Sequence, residues 1–233
     1  MIFPVVILAG GFATRLYPLS LETPKSLVKV NGRAFLSWQL ELLASSGITS
    51  VILCLGHRAQ DVIDFVGNGD RFGLSIQFSV EKKPLGTGGA LKKAEPLVED
   101  VFGVLYGDSY LPIEYRKIFE SYVENNKLCL MTVFRNNNRF EKSNVYVDTE
   151  GKALYSKRNF SKKMQHVDFG FSVISRRALE NVATDGFCDL SDIFERLSQA
   201  NQLGIYEVQA RFYEVGSFEG IVDLEHYLKR ESK

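Results

Sequence analysis

Six residues of this chain have types and settings suited to handling phosphate or a hydrogen-bonding ring: Gly10, Gly11, Arg15, Lys25, Glu81 and Asp108. The two adjacent glycines follow an apolar run, Val5 to Ala9, that reads as a buried strand ending in a loop. Without a Cβ at Gly10 or Gly11 the backbone can adopt positive φ and turn its amides towards phosphate or base oxygens. Thr14 adds a hydroxyl, and Arg15 a permanently charged planar fork. The spelling Gly10-Gly11-Phe12-Ala13-Thr14-Arg15 is neither the Gly-Lys-Ser/Thr loop nor the Gly-x-Gly-x-x-Gly fingerprint. A glycine-rich β-to-α turn with a surface arginine is the alternative reading.

Pro24 lacks an amide donor and pushes Thr23 towards extended geometry, so Lys25 is held on a constrained segment. Glu81 ends a strand-like stretch and is followed by Pro84-Leu85-Gly86-Thr87-Gly88-Gly89, a second backbone-lined loop or, alternatively, a long turn capped by Thr87. Asp108 lies in Gly107-Asp108-Ser109, directly after the apolar run Val101 to Tyr106. A carboxylate at the C-terminal end of a central strand faces the crevice where open α/β sheets bind ligands, and magnesium favours such oxygens together with substrate phosphates. A turn-forming Asp beside Gly is the alternative.

The elements that must carry these residues follow from hydrophobic period. Residues 34 to 46 repeat apolar positions at helical spacing and stop at Gly47; Ile48 to Leu55 is a buried strand; a helix runs through Val62, Ile63 and Val66; Leu74 to Val80 alternates as a strand. Strand, helix, strand, helix, strand at this rhythm predicts a doubly wound parallel sheet. The second half is less regular: a helix over 113 to 123, a strand over 128 to 134, a hairpin of 144–147 with 152–157, a strand over 166 to 174, and helices over 189 to 200 and 218 to 230.

Composition limits the alternatives. With 233 residues, 45% hydrophobic and 24% charged, the chain suits one globular domain, and 28 basic against 28 acidic side chains give no general attraction to nucleic acid or anionic membrane. No apolar run approaches a membrane span and no leader pattern opens the chain, so a cytoplasmic location is expected. Cys54, Cys129 and Cys188 are widely spaced without a Cys-x-x-Cys pair, and the histidines show no metal spacing, so structural roles are expected for them.

LAGGFATRL (8–16), TPKSLVKVNGRAFL (23–36), EKKPLGTGGAL (81–91) and GDS (107–109), in that order, resemble the sugar-1-phosphate nucleotidyltransferases, with the heptose and mannose 1-phosphate guanylyltransferases nearest in pattern. The resemblance implies an α/β, Rossmann-like doubly wound mixed sheet of the nucleotide-diphospho-sugar transferase type. Residues 1–233 would form one domain, with a nucleotide-binding half to about residue 110 and a small β-rich sugar-phosphate half beyond it. It implies transfer of a nucleoside monophosphate to a sugar 1-phosphate with release of pyrophosphate, Mg²⁺ as cofactor, no nucleic-acid or membrane partner, and a homodimer as an assembly the family allows.

By resemblance, Arg15, Lys25 and Asp108 are catalytic, while Leu8, Ala9, Gly10, Gly11, Thr14, Glu81, Pro84, Gly86, Thr87 and Gly88 surround the nucleotide. Gly107, Lys157, Asp168 and Gly170 serve the sugar phosphate, and Glu214 joins Asp108 as a second metal carboxylate. The chain departs from the family pattern at Ser156, where an acid often precedes the lysine, at Asp168 for Asn, and at Glu214 for Asp. Guanine presents two adjacent donors that the Glu81 carboxylate can accept together, whereas uracil and thymine present one donor between acceptors, so GTP is the favoured nucleotide. Uridylyl, thymidylyl or cytidylyl transfer, and a non-catalytic nucleotide-sugar sensor, stay open. A glycosyltransferase of similar fold is expected to carry Asp-x-Asp where this chain has Asp108-Ser109-Tyr110.

Overall fold

The structure, a computed structural model, describes residues 2–11, 23–136 and 142–231. In chain order these form β1 (Val5–Leu8), a 3-10 turn (Lys25–Leu27), β2 (Lys29–Val30), β3 (Arg33–Ala34), α1 (Phe35–Ser45), β4 (Ser50–Leu55), α2 (Ala59–Val66), β5 (Ser75–Val80), α3 (Gly86–Ala94), β6 (Val101–Tyr106) and β7 (Ser109–Tyr110). The second half contributes α4 (Tyr115–Asn125), β8 (Cys129–Arg135), β9 (Val145–Val147), β10 (Ala153–Tyr155), β11 (His166–Ser175), α5 (Leu190–Gln199), β12 (Leu203–Val208), β13 (Tyr213–Glu214) and α6 (Phe218–Glu231).

β1 is central because both of its edges and both of its faces are covered. It pairs in parallel with β4 and β6, and β4 pairs in parallel with β5. Val5 and Ile7 pack to one side with Leu36, Leu40 and Leu43 of α1 and Phe119 of α4. Val6 packs to the other with Leu91 of α3 and Ile193, Phe194 and Leu197 of α5. A strand buried on both faces needs a continuous apolar run, which is why Val5 to Leu8 shows no alternation. The expected helices on both faces of a parallel core are therefore present.

Beyond β6 the sheet becomes mixed. β11 lies antiparallel to β6 on one edge and to β8 on the other, and β12 adds in parallel outside β8. The expected hairpin is β9 with β10, in register Ala153 to Val147, and β9 touches β11 at His166. Asp168 and Gly170 lie between the stretch of β11 that meets β9 and the stretch that meets β6, where the ladder to β8 shifts register. Three features go beyond the sequence reading: β12, the β2–β3 hairpin, and the short ladder joining β13 to β7.

Candidate active site

The C-terminal ends of β1, β5 and β6 open into a cavity of about 350 Å³. β1 contributes Leu8, Ala9, Gly10 and Gly11; the segment after β5 contributes Glu81, Pro84, Gly86 and Thr87; the turn after β6 contributes Gly107 and Asp108; and Lys25 closes the floor beside Ser26. The volume lies within the range of small-molecule sites, and the position is the ligand crevice of doubly wound sheets. Ser26 Oγ is buried and has no hydrogen-bond partner among the described residues.

Lys25 Nζ donates to Asp108 Oδ2 at 2.5 Å, and both side chains are largely shielded, at 18% and 26% exposure. The pair joins segments 83 residues apart. Pro24, at φ −55° and ψ 144°, sets the direction from which the 3-10 turn presents Lys25. Asp108 is fixed through its neighbours. Gly107 N–H donates to Leu8 O at 3.0 Å, and a Cβ on Gly107 would lie 2.5 Å from that oxygen, so only glycine lets the turn approach β1 this closely. Val215 N–H donates to Asp108 O at 2.9 Å.

At the other side of the cavity Glu81 Oε2 accepts from Leu85 N–H at 3.1 Å. Burial raises the Glu81 carboxyl above its ordinary value, against the opposing effects of the Leu85 N–H and the Lys93 charge. The glycines after it are not an open loop but the first turn of α3. Gly86 takes φ +73°, and a Cβ there would lie 2.5 Å from Cys188 O. Of Gly86 and Gly88, the two expected beside the base, Gly86 lines the cavity, while Gly88 N–H donates to Cys188 O at 2.8 Å. A Cβ on Gly88 would be tight, at 3.1 Å from Asp189 C, and one on Gly89 would lie 2.6 Å from Gly186 O, because residues 186–190 lie directly against α3. Thr87 Oγ1 accepts from Leu190 N–H at 2.8 Å, satisfying a donor at the start of α5. Thr87→Ala is expected to cost about 1 kcal/mol of stability, read from urea unfolding.

The remaining expected residues are placed differently. Thr14 and Arg15 lie outside the described residues. Asp168 is reached from the cavity through Tyr106, whose hydroxyl donates to Asp168 Oδ2 at 3.3 Å; Gly170 N–H donates to Asp168 Oδ1 at 3.0 Å. Burial first, and the Asp168 charge second, raise the Tyr106 phenol well above its ordinary value and keep it a donor. Lys157 is exposed beyond β10 and is not on the cavity wall. Its N–H and the Ser156 hydroxyl both donate to Glu195 Oε1, at 3.0 and 2.9 Å, so α5 supplies a carboxylate where this chain has serine. Glu214 pairs with Ser109 across the β13–β7 ladder, next to the Asp108 backbone, but lines a separate shallow hollow. Tyr106, Phe187 and Asp189 line the cavity without having been expected there. An exposed phenylalanine and a helix-capping aspartate carry no local signal of a site.

Magnesium is implied by the family pattern, and the wall chemistry fits it. Asp108 offers hard carboxylate oxygens where phosphates would lie, and magnesium is usually held by one or two carboxylates plus substrate oxygens rather than by a protein cage. Among the described residues there is no cluster of three or more His, Cys, Asp or Glu. Nor is any helix among the described residues long and apolar enough to cross a membrane.

A parallel four-strand core extended by an antiparallel β-rich half, with a cavity across β1 and β6, defines the nucleotide-diphospho-sugar transferase fold. Solved structures of HddC from Yersinia pseudotuberculosis superpose with TM-scores of 0.82 and 0.80 at 25% identity, over 97% of this chain and 100% of theirs; the second is complexed with GMP-PN. Residues 4–163 match the nucleotidyl transferase family model, and the chain belongs to that family. It is 43% identical over 95 residues to mannose-1-phosphate guanyltransferase of Kluyveromyces lactis, covering 40% of this chain and 26% of that protein. It is 28% identical over 179 residues to D-glycero-alpha-D-manno-heptose 1-phosphate guanylyltransferase of Campylobacter jejuni, covering 76% and 78%. The match thus spans about a quarter of the length of the fungal relative and over three quarters of the bacterial one.

Proposed function

We propose that the protein transfers GMP from GTP to a sugar 1-phosphate of the heptose or mannose type, releasing pyrophosphate and forming a nucleotide sugar. The observation that carries this reading is the Lys25–Asp108 pair together with Glu81 on the wall of one cavity. An ammonium and a carboxylate suit the triphosphate and its magnesium, and a second carboxylate suits the base edge. The guanylyltransferase names of two relatives and the GMP-PN bound by a structural neighbour support the same base.

In this reaction an oxygen of the sugar phosphate forms a bond to the α-phosphorus while the bond to the β-phosphate bridging oxygen breaks, and pyrophosphate leaves with that electron pair. The nucleophile is already anionic, so no side chain has to remove a proton. The protein's part is alignment and charge neutralisation. Lys25 would draw on the phosphates of the leaving group, Asp108 would hold the magnesium, and the Gly10–Gly11 backbone would border the nucleotide. Bound there, magnesium supplies Lewis-acid neutralisation of phosphate charge. Arg15 is proposed as a further phosphate contact, and Lys157 and Glu214 as sugar-phosphate and metal contacts; those two roles require their side chains to reach the cavity in the complex.

The deciding experiment is pyrophosphate release with Mg²⁺, crossing GTP, UTP, CTP, dTTP and ATP against hexose and heptose 1-phosphates. Turnover with GTP and a manno-configured acceptor is expected. Turnover only with a pyrimidine nucleotide would retain the reaction and discard the Glu81 argument, while nucleotide binding without turnover anywhere would indicate a sensor. Glu81→Gln is expected to weaken GTP binding by about 10- to 100-fold, as for loss of a charged acceptor. The same variant should melt higher than wild type without ligand at neutral pH. A carboxyl whose folded value is raised gives stability below its unfolded value and loses it as pH rises through the folded one, so the difference should shrink on acidification.

A further inference from the structure

Phe187 is 71% exposed yet lines the cavity, and the residue that follows it is held by its main chain. Cys188 N–H donates to Leu85 O at 2.9 Å, while Gly88 and Gly89 N–H donate to Cys188 O at 2.8 and 3.0 Å. With the Leu190–Thr87 bond, these fasten residues 186–190 to the start of α3. A single exposed apolar side chain is ordinary on a protein surface; what sets Phe187 apart is that it lies on the wall of the cavity that Lys25, Glu81 and Asp108 line. Two residues on, Asp189 lines the same cavity as the N-cap of α5. An ionised carboxylate has about four acceptor sites, so a capping role leaves capacity for further donors.

Building on the proposed reaction, we infer that Phe187 and Asp189 form the wall that recognises the sugar ring of the acceptor. Phosphates are drawn to Lys25, and a carboxylate beside them would repel them, so Asp189 belongs with the neutral, hydroxyl-bearing part of the ligand. Hydroxyls donate and the carboxylate accepts. The C–H face of a pyranose is apolar, and the exposed Phe187 ring offers it a flat, electron-rich partner. Glu81 and Pro84 are the groups proposed for the base, and the Phe187 ring lies beside Gly86 at the edge of that wall. Tyr106, tied to Asp168, lines the same cavity and gives the sugar side a further polar boundary.

The test separates the two substrates. Phe187→Ala is expected to raise KM for mannose 1-phosphate, or for the acceptor the grid selects, by about 10-fold, with KM for GTP unchanged. Asp189→Asn, which retains helix-capping ability, should raise the same KM by about 10- to 100-fold. Independently of turnover, the acceptor's ring protons should show upfield NMR shifts on binding to wild type, and these should vanish with Phe187→Ala. A loss of GTP affinity with the acceptor KM unchanged would place the ring against the base and overturn the inference, as would unchanged constants for both substrates. Wild-type protein that binds no sugar 1-phosphate would instead sink the proposed reaction itself.

Discussion

Asp108→Asn is expected to lower kcat by about 10²- to 10³-fold, the scale of losing one preorganised charge at a phosphoryl centre. The substitution isolates charge from shape. Asparagine is isosteric, and the main-chain bonds that hold the turn do not use this side chain: Gly107 N–H donates to Leu8 O, and Val215 N–H donates to Asp108 O. From α1, Gln39 Nε2 donates to the carbonyls on both sides, Tyr106 O at 3.1 Å and Ser109 O at 2.7 Å. The fold of the variant should therefore match wild type by circular dichroism, while pyrophosphate release falls and its dependence on Mg²⁺ concentration moves upward. Unchanged turnover with unchanged Mg²⁺ dependence would remove Asp108 from the mechanism.

Lys25→Met should cost about 10²-fold in kcat/KM for the nucleotide, because the apolar stem is kept and only the charge proposed for the phosphates is lost. The double variant is the more searching measurement. Side chains in direct contact couple, and groups that act as a unit are far from additive. Since Lys25 and Asp108 touch, Lys25→Met with Asp108→Asn should lose much less than the product of the two single effects. Strict multiplication would mean that the contact has no bearing on turnover.

The parallel core and the cavity ends of its strands were legible because each rests on local pattern. β1, β4 and β6 are apolar runs, and Glu81 and Asp108 fall immediately beyond strand ends, where geometry fixes the side on which they emerge. β12 was illegible because Leu203 to Val208 contains Gly204 and Glu207, which blunt its period, and its place is set only by pairing with β8. The β13–β7 ladder is two residues long and likewise exists through tertiary contact. The glycines of α3 were read for what they could offer a ligand, whereas a Cβ on Gly88 or Gly89 meets the 186–190 segment, more than ninety residues away in sequence. Phe187 was invisible for the same reason, since nothing in its sequence neighbourhood announces a rim.

Lys25 and Asp108 neutralise one another through a single Nζ–Oδ2 contact, which leaves two ammonium donors and the second carboxylate oxygen for ligands. A bare cation drawn to Asp108 would weaken the attraction that offsets the Lys25 charge in this largely shielded site, and a bare polyanion drawn to Lys25 would do the same to the carboxylate. A cation and an anion arriving together satisfy both, so each strengthens the other's binding by the same factor. On the proposed reaction, the contact would favour a magnesium–triphosphate pair over either ion alone.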